Sequence, residues 1–217
     1  MLKLKNVKKR YQSFELDCSL ALGRGEIVGL VGRNGAGKST AFKIALGLIN
    51  RDNGDVELFG KSINEITDKD RQRIGASLGE VGFYEQFTIK EIVSVLRSFY
   101  PQFEKSYFVS KCEEFQLPLD KPLKEFSTGM KARLSVLIAI RHNAELLILD
   151  EPTAGLDVVA RGEILRLLQE YLEKDESRSI LISSHISKDL EQLCDSLYFI
   201  DQGKIILNED TDVLMDE

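Results

Sequence analysis

Tryptophan is absent from this chain, and histidine, cysteine and proline are scarce, at two, three and four residues in 217. Cys18, Cys112 and Cys194 are odd in number, far apart and outside any C-x-x-C spacing. That excludes a disulfide-stapled secreted scaffold and predicts reduced, structural thiols in a cytoplasmic protein. No run approaches the ~18–20 apolar residues that a membrane span needs, and the first residues show no signal-peptide hydrophobic region. Positive charge is short as well, with 29 Lys and Arg against 35 Asp and Glu and a formal net charge of −6. No overall attraction to nucleic acid or to an anionic lipid surface is therefore expected. The one basic cluster, Lys3, Lys5, Lys8, Lys9 and Arg10, is accounted for by the solvated face of a strand. Internal repeats, low-complexity tracts and long linkers are missing too. What remains is a chain long enough to bury a sizeable core as one domain, or as a core with a modest inserted lobe.

The informative segment is Gly32-Arg33-Asn34-Gly35-Ala36-Gly37-Lys38-Ser39-Thr40, which fits G-x-x-x-x-G-K-[ST]. Wrapping three phosphates in main chain demands these residue types. Gly32, Gly35 and Gly37 let the backbone turn its N–H groups inward, forming a nest at the positive end of a helix. Lys38 then reaches the β- and γ-phosphates of ATP, and the Ser39 hydroxyl coordinates Mg²⁺. The run Glu26 to Val31 reads as a buried parallel strand and Thr40 to Asn50 as the following helix, which is the context the motif requires.

Further along, Leu146 to Leu149 is an aliphatic run that ends in Asp150 and Glu151. A central strand whose C-terminal end opens onto a ligand crevice has this pattern. Asp150 is placed to face the magnesium, and Glu151 to polarise the attacking water as a general base. On its own, Asp150-Glu151-Pro152 reads more readily as an acidic turn after a strand than as a catalytic pair. Downstream of a phosphate loop the catalytic reading is the stronger one.

Over nearly its whole length the chain resembles the nucleotide-binding domain of an ABC transporter. Leu149-Asp-Glu-Pro-Thr-Ala-Gly-Leu-Asp157 matches that family's second nucleotide motif running into its D-loop, and Ile182-Ser-Ser-His185 matches its switch histidine. The resemblance implies that His185 contacts the γ-phosphate and keeps the water and Glu151 in register. Tyr11 matches the adenine-stacking aromatic, with an ordinary strand tyrosine as the alternative. Phe126-Ser127-Thr128-Gly129-Met130 matches the family signature only in part: Ser127 and Gly129 remain, while Thr128 and Met130 depart from it. Ser127 is also a good N-cap for an amphipathic helix from Met130 to His142, and that is the plainer reading of the residue alone. In the family, the signature and the D-loop complete the site of a second ATPase subunit. The resemblance thus places Ser127, Gly129 and Asp157 in the site of a homodimeric or heterodimeric partner, two chains sandwiching two ATP molecules. Where the family has a glutamine after a strand, this chain has Gly79 or Glu80, depending on the alignment.

The expected fold is α/β: a P-loop NTPase, RecA-like parallel-sheet core with an N-terminal antiparallel β region and an inserted helical subdomain. The 1–217 chain is a single ATPase domain in this reading, with core residues 1–84 and 141–217 and helical residues 85–140. Within the latter, Ile89 to Tyr100 and Phe103 to Gln116 read as amphipathic helices separated by Pro101. Ten of the chain's 11 phenylalanines and 6 tyrosines fall between Phe83 and Phe126. Most serve as core; Phe83, Tyr84, Phe87, Phe99 and Tyr100 are candidates for a groove that receives a helix of the membrane partner. The segment Gly79 to Glu91 resembles bacterial export-type ATPases. The implied protein is an ATP-hydrolysing motor, peripheral on the inner face of the cell membrane, docked on separate transmembrane permease subunits. A soluble ABC ATPase driving assembly of a non-membrane complex, such as an iron–sulfur scaffold, would carry the same ATP residues. A lone phosphotransferase would explain neither Ser127-Thr-Gly129 nor His185.

Overall fold

The computed structural model describes residues 1–79, 81–142, 144–186, 190–211 and 213. Strands β1 (Leu2–Arg10) and β2 (Glu15–Leu22) pair antiparallel, and β2 alternates exposed and buried positions along its length, as a strand with one wet face must. Then follow β3 (Ile27–Val31), α1 (Lys38–Ala45), β4 (Asn53–Leu58), β5 (Lys61–Ser62), α2 (Asp68–Arg71) and β6 (Ile74–Ser77). The middle of the chain is helical: α3 (Ile89–Phe99), α4 (Lys105–Glu114) and α5 (Thr128–Ile140). The remainder alternates β7 (Leu146–Leu149), α6 (Val158–Glu173), β8 (Ser179–Ser184), β9 (Ser196–Asp201) and β10 (Lys204–Asp210).

All ten strands join one sheet in the order β5-β4-β1-β2-β10-β9-β3-β8-β7-β6. The block β9, β3, β8, β7 and β6 is parallel, whereas β1, β2, β4 and β5 pair antiparallel. Strand β10 connects the two blocks, pairing antiparallel with β9 along its length and parallel with β2 at Lys204↔Asp17. Because β3, β8 and β7 are neighbours, the chain leaves their C-terminal ends at adjacent points of one sheet edge, where α/β folds bind ligands.

The parallel strands are covered on both faces and read as aliphatic runs for that reason. Leu146 and Ile148 of β7 point into a cluster with Phe42 of α1 and the antiparallel strands. Leu147 and Leu149 point the other way, into a cluster with α5, α6 and the α3–α4 region. Ile92, Phe108 and Leu137 share that second cluster with Leu147 and Ile182, so the helical segment does not keep a separate core. Gly75 permits the close approach of α5 to the sheet, since a Cβ there would lie 2.1 Å from the Ala139 carbonyl oxygen.

Helix ends depart from the sequence expectations where local chemistry overrides periodicity. Helix α1 stops at Ala45, not Asn50, because Gly47 takes φ +69 and the N–H groups of Gly47 and Leu48 turn back to the carbonyls of Ile44 and Lys43, a Schellman ending. Helix α4 stops at Glu114 in the same way, with Gln116 at φ +54 and its neighbour Leu117 bonded to the Cys112 carbonyl. Helix α5 begins at Thr128, earlier than Met130, because Ser127 caps it. No helix among the described residues is long and apolar enough to cross a membrane.

Candidate nucleotide site

The loop between β3 and α1 is shaped by its surroundings as much as by its own glycines. A Cβ on Gly32 would sit 2.5 Å from the Ile200 carbonyl oxygen at the end of β9. Gly37 has φ +114, and a Cβ on it would lie 2.9 Å from Phe14 Cζ and 3.0 Å from Leu16 Cδ1. The loop is braced from outside by Gly32 N–H to the Ser184 carbonyl (3.2 Å) and Gly203 N–H to the Ala36 carbonyl (2.9 Å). Arg33, Asn34, Gly35 and Ser39 are exposed, Thr40 is half-buried, and Ala36 and Lys38 are buried. No side chain caps α1, so the N–H groups of its first turn are left for an anion.

Lys38 folds back over this loop. Its ammonium donates to the carbonyls of Gly32 (2.5 Å) and Arg33 (3.1 Å), and pairs with Glu151 Oε1 at 2.9 Å. Glu151 leaves the end of β7 with φ +50, and its other carboxylate oxygen accepts from His185 Nδ1 at 2.5 Å. The start of α1 beyond β3 and the segments after β7 and β8 thus deliver Lys38, Glu151 and His185 into one chain of contacts. Burial pushes the Glu151 carboxyl up, but the hydrogen bond from His185 and the Lys38 ammonium outweigh it and hold its pKa below the usual value. Asp150, one residue earlier, is buried and tied by its N–H to the Ser77 carbonyl (2.8 Å).

No motif legible in the sequence gives Ser183 a role. Its hydroxyl donates to Asp150 Oδ1 (2.6 Å) and accepts the Glu151 N–H (2.9 Å). A polar pair, Ser183-Ser184, at the end of an otherwise aliphatic buried strand was the signal available.

Tyr11 lies in the turn after β1 and not within a strand; it is 49% exposed. Its N–H donates to the Phe14 carbonyl at 2.8 Å, and Phe14 is the residue that walls Gly37. The tyrosine therefore stands beside the phosphate loop. Among the described residues, Ser127 and Asp157 make local bonds only, capping α5 through Met130 N–H (3.2 Å) and α6 through Ala160 N–H (2.9 Å). A Cβ on Gly129 would be 3.8 Å from Leu156 Cδ2, and one on Gly155 would be 4.0 Å from Thr128 Cγ2. The segments around Ser127 and Asp157 accordingly form one patch.

Beside Gly79 opens a groove of about 760 Å³ lined by Val81, Phe83, Tyr84, Phe87, Leu123 and Lys131. Three of the five aromatics proposed for a docking groove line it, and Tyr84 is 79% exposed. Phe99 is exposed away from it, and Tyr100 instead packs against the Arg141 guanidinium (3.9 Å) and the His142 ring (4.5 Å between centroids). Gly79 adopts φ +90 with nothing within 4 Å of a Cβ position; Glu80 lies outside the described residues.

Residues 16–154 match the family model described as ABC transporter. The chain is 34% identical over 220 residues to the ABC transporter ATP-binding protein YtrB of Bacillus subtilis (strain 168), covering 100% of this chain and 74% of that protein. It is 34% identical over 215 residues to the lantibiotic transport ATP-binding protein SrtF of Streptococcus pyogenes, covering 98% and 92%. A solved structure described as the ATP binding subunit of an ABC transporter matches with a TM-score of 0.85 at 27% identity, covering 100% of this chain and 92% of that one. The match runs through the phosphate loop, the Asp150-Glu151 pair and the segment around Ser127, and the chain belongs to the ABC transporter family as an ATP-binding domain.

Proposed function

We propose that this chain is the ATP-hydrolysing motor of an exporter, working through separate membrane subunits on a peptide or drug-like molecule. The observation that carries the reading is the convergence of Lys38, Glu151 and His185 from the segments that follow three adjacent strands. The lantibiotic transport relative supports a peptide as the transported molecule, and the apolar groove with its exposed Tyr84 supports docking of a helix from a permease. Through such a permease the chain would sit on the inner face of the membrane.

The residues present suit Mg²⁺ bound with a nucleotide. One buried carboxylate, Asp150, and one exposed hydroxyl, Ser39, are a sparse donor set, as fits a cation that keeps waters and phosphate oxygens among its ligands. Bound there, Mg²⁺ would neutralise charge on the β- and γ-phosphates. The loop N–H groups and Lys38 hold the phosphates, and Tyr11 stacks on adenine. The Glu151 carboxylate accepts a proton from water in line with the γ-phosphate, and its low pKa keeps it in the accepting form. His185, hydrogen-bonded to it, fixes the direction of that carboxylate. Ser127, Gly129 and Asp157 lie together on one patch and serve the second chain's nucleotide, so ATP favours a closed dimer and hydrolysis releases it.

The test is to purify tagged Glu151→Gln from gently solubilised membranes with ATP and Mg²⁺ and identify what co-purifies near one-to-one. A multi-span membrane protein is the expected result. A partner without membrane spans would overturn the exporter reading and favour an assembly ATPase.

A further inference from the structure

Strand β8 is buried at all six positions and runs Ser-Ile-Leu-Ile-Ser-Ser. Parallel strands covered on both faces are usually aliphatic, and a hydroxyl in such a place persists only if it is hydrogen-bonded. Ser183 is 0% exposed and uses both capacities of its hydroxyl on two consecutive residues of a neighbouring strand end, Asp150 and Glu151. The register explains how: Leu149 of β7 pairs with Ile182 of β8, so the residue after each faces the other across the sheet edge.

We infer that Ser183 is a positioning residue of the ATP site. This rests on the reading of Asp150 as metal ligand and Glu151 as base. By donating to Oδ1, Ser183 fixes the rotation of the Asp150 carboxylate, and among the described residues no hydrogen bond is made to the other oxygen, Oδ2. By accepting the Glu151 N–H, the same hydroxyl anchors the backbone at φ +50, a conformation costly for a residue with a side chain. That turn aims the Glu151 carboxylate at Lys38 and His185. One oxygen thereby couples the orientation of the metal-binding carboxylate to that of the base. Groups holding a ligand carboxylate from behind commonly change metal affinity or activity 10- to 100-fold when removed, about the size expected here.

Ser183→Ala, Ser183→Cys and Ser183→Thr, made in the full chain, test this with three measurements: kcat and KM for ATP hydrolysis, Mn²⁺ affinity of the ADP complex by electron paramagnetic resonance, and ADP affinity in EDTA. Ala removes the hydroxyl; Cys fills the volume with a poor donor, so either one that folds decides the matter. Both should lower kcat and Mn²⁺ affinity about 10- to 100-fold, leave KM and metal-free ADP affinity within about twofold, and be largely rescued by Thr. Native kcat and Mn²⁺ affinity in the Ala and Cys variants would overturn the inference. So would a parallel loss of metal-free ADP binding, which would make Ser183 a packing residue of β8. Glu151→Gln is the control: if it hydrolyses ATP at the native rate, the base assignment itself fails, while the Mn²⁺ affinities still decide the link from Ser183 to Asp150.

Discussion

The Lys38 ammonium and the Glu151 carboxylate are ion-paired at 2.9 Å, with Lys38 only 5% exposed. The group assigned to hold phosphate is thus in contact with the group assigned to activate water, and phosphate oxygens must compete with Glu151 for one cation. Glu151→Gln removes both the competitor and the base. ATP affinity should rise by about tenfold, as loss of one repelling charge near the phosphates implies. Phosphate release should fall at least ~10²-fold. Equilibrium binding and steady-state phosphate release on the same preparation check both limbs; weaker ATP binding in the variant would contradict the competition.

Tyr11 offers a different handle, because the chain has no tryptophan. A ring stacked on a base contributes about 1–3 kcal/mol, so Tyr11→Ala should weaken ATP binding about 5- to 150-fold with kcat little changed. Tyr11→Trp should keep affinity and give a single indole whose emission responds to ATP and ADP. An indole in that turn that ignores saturating ATP would remove Tyr11 from the adenine site.

Much of this site could be read along the chain because phosphate binding uses contiguous backbone: Gly32 to Thr40 carries its own geometry. The Leu146–Leu149 run was legible for the same reason, since a strand buried on both faces is a visible aliphatic block. What lay hidden was pairing across the sheet. Nothing local says that Ser183 faces Asp150; that follows from the register of β7 and β8. The patch joining Ser127 to Asp157 likewise required Gly129 and Leu156 to be brought together by packing. The helices ending at Ala45 and Glu114 stop short of their apolar pattern because single left-handed residues, Gly47 and Gln116, terminate a helix while the apolar period runs on.

If Ser127, Gly129 and Asp157 serve the opposite chain, two defective variants should complement. Lys38→Ala spoils a chain's own phosphate loop, and Ser127→Arg spoils the surface it offers its partner. Mixed in equal amounts, half the dimers are mixed, and each of those contains one site built from two intact halves. Hydrolysis by the mixture should exceed the sum of the separate variants several-fold, and the native rate per chain should increase with protein concentration. Additive rates in the mixture, or turnover unchanged on dilution far below the dimerisation constant, would place a complete site within one chain.

His142 makes a prediction about stability that does not involve the nucleotide. It is 4% exposed, its Nε2 meets the Ile74 carbonyl at 3.1 Å, and its ring packs against Tyr100. Burial, with a smaller contribution from the adjacent Arg141 charge, lowers its pKa to about 4, only partly opposed by the Ile74 carbonyl. Lys69, Arg73 and Glu145 line the same cleft, with Arg73 and Glu145 paired to each other at 2.7 Å. In the unfolded chain the ring titrates near 6.5. Below that pH the unfolded state takes up a proton that the folded state refuses until about pH 4. The stability His142 supplies is therefore complete above ~6.5 and lost as pH falls from there toward ~4. His142→Gln keeps a donor for the Ile74 carbonyl but cannot titrate. Urea unfolding at pH 7.5 and pH 5.0 should show native stability falling by about 2 kcal/mol more than that of the variant, at ~1.4 kcal/mol per unit of pH. Because the carboxylates are common to both proteins, their own acid sensitivity cancels in the difference, and equal slopes would mean that the folded chain accepts the proton as readily as the unfolded one.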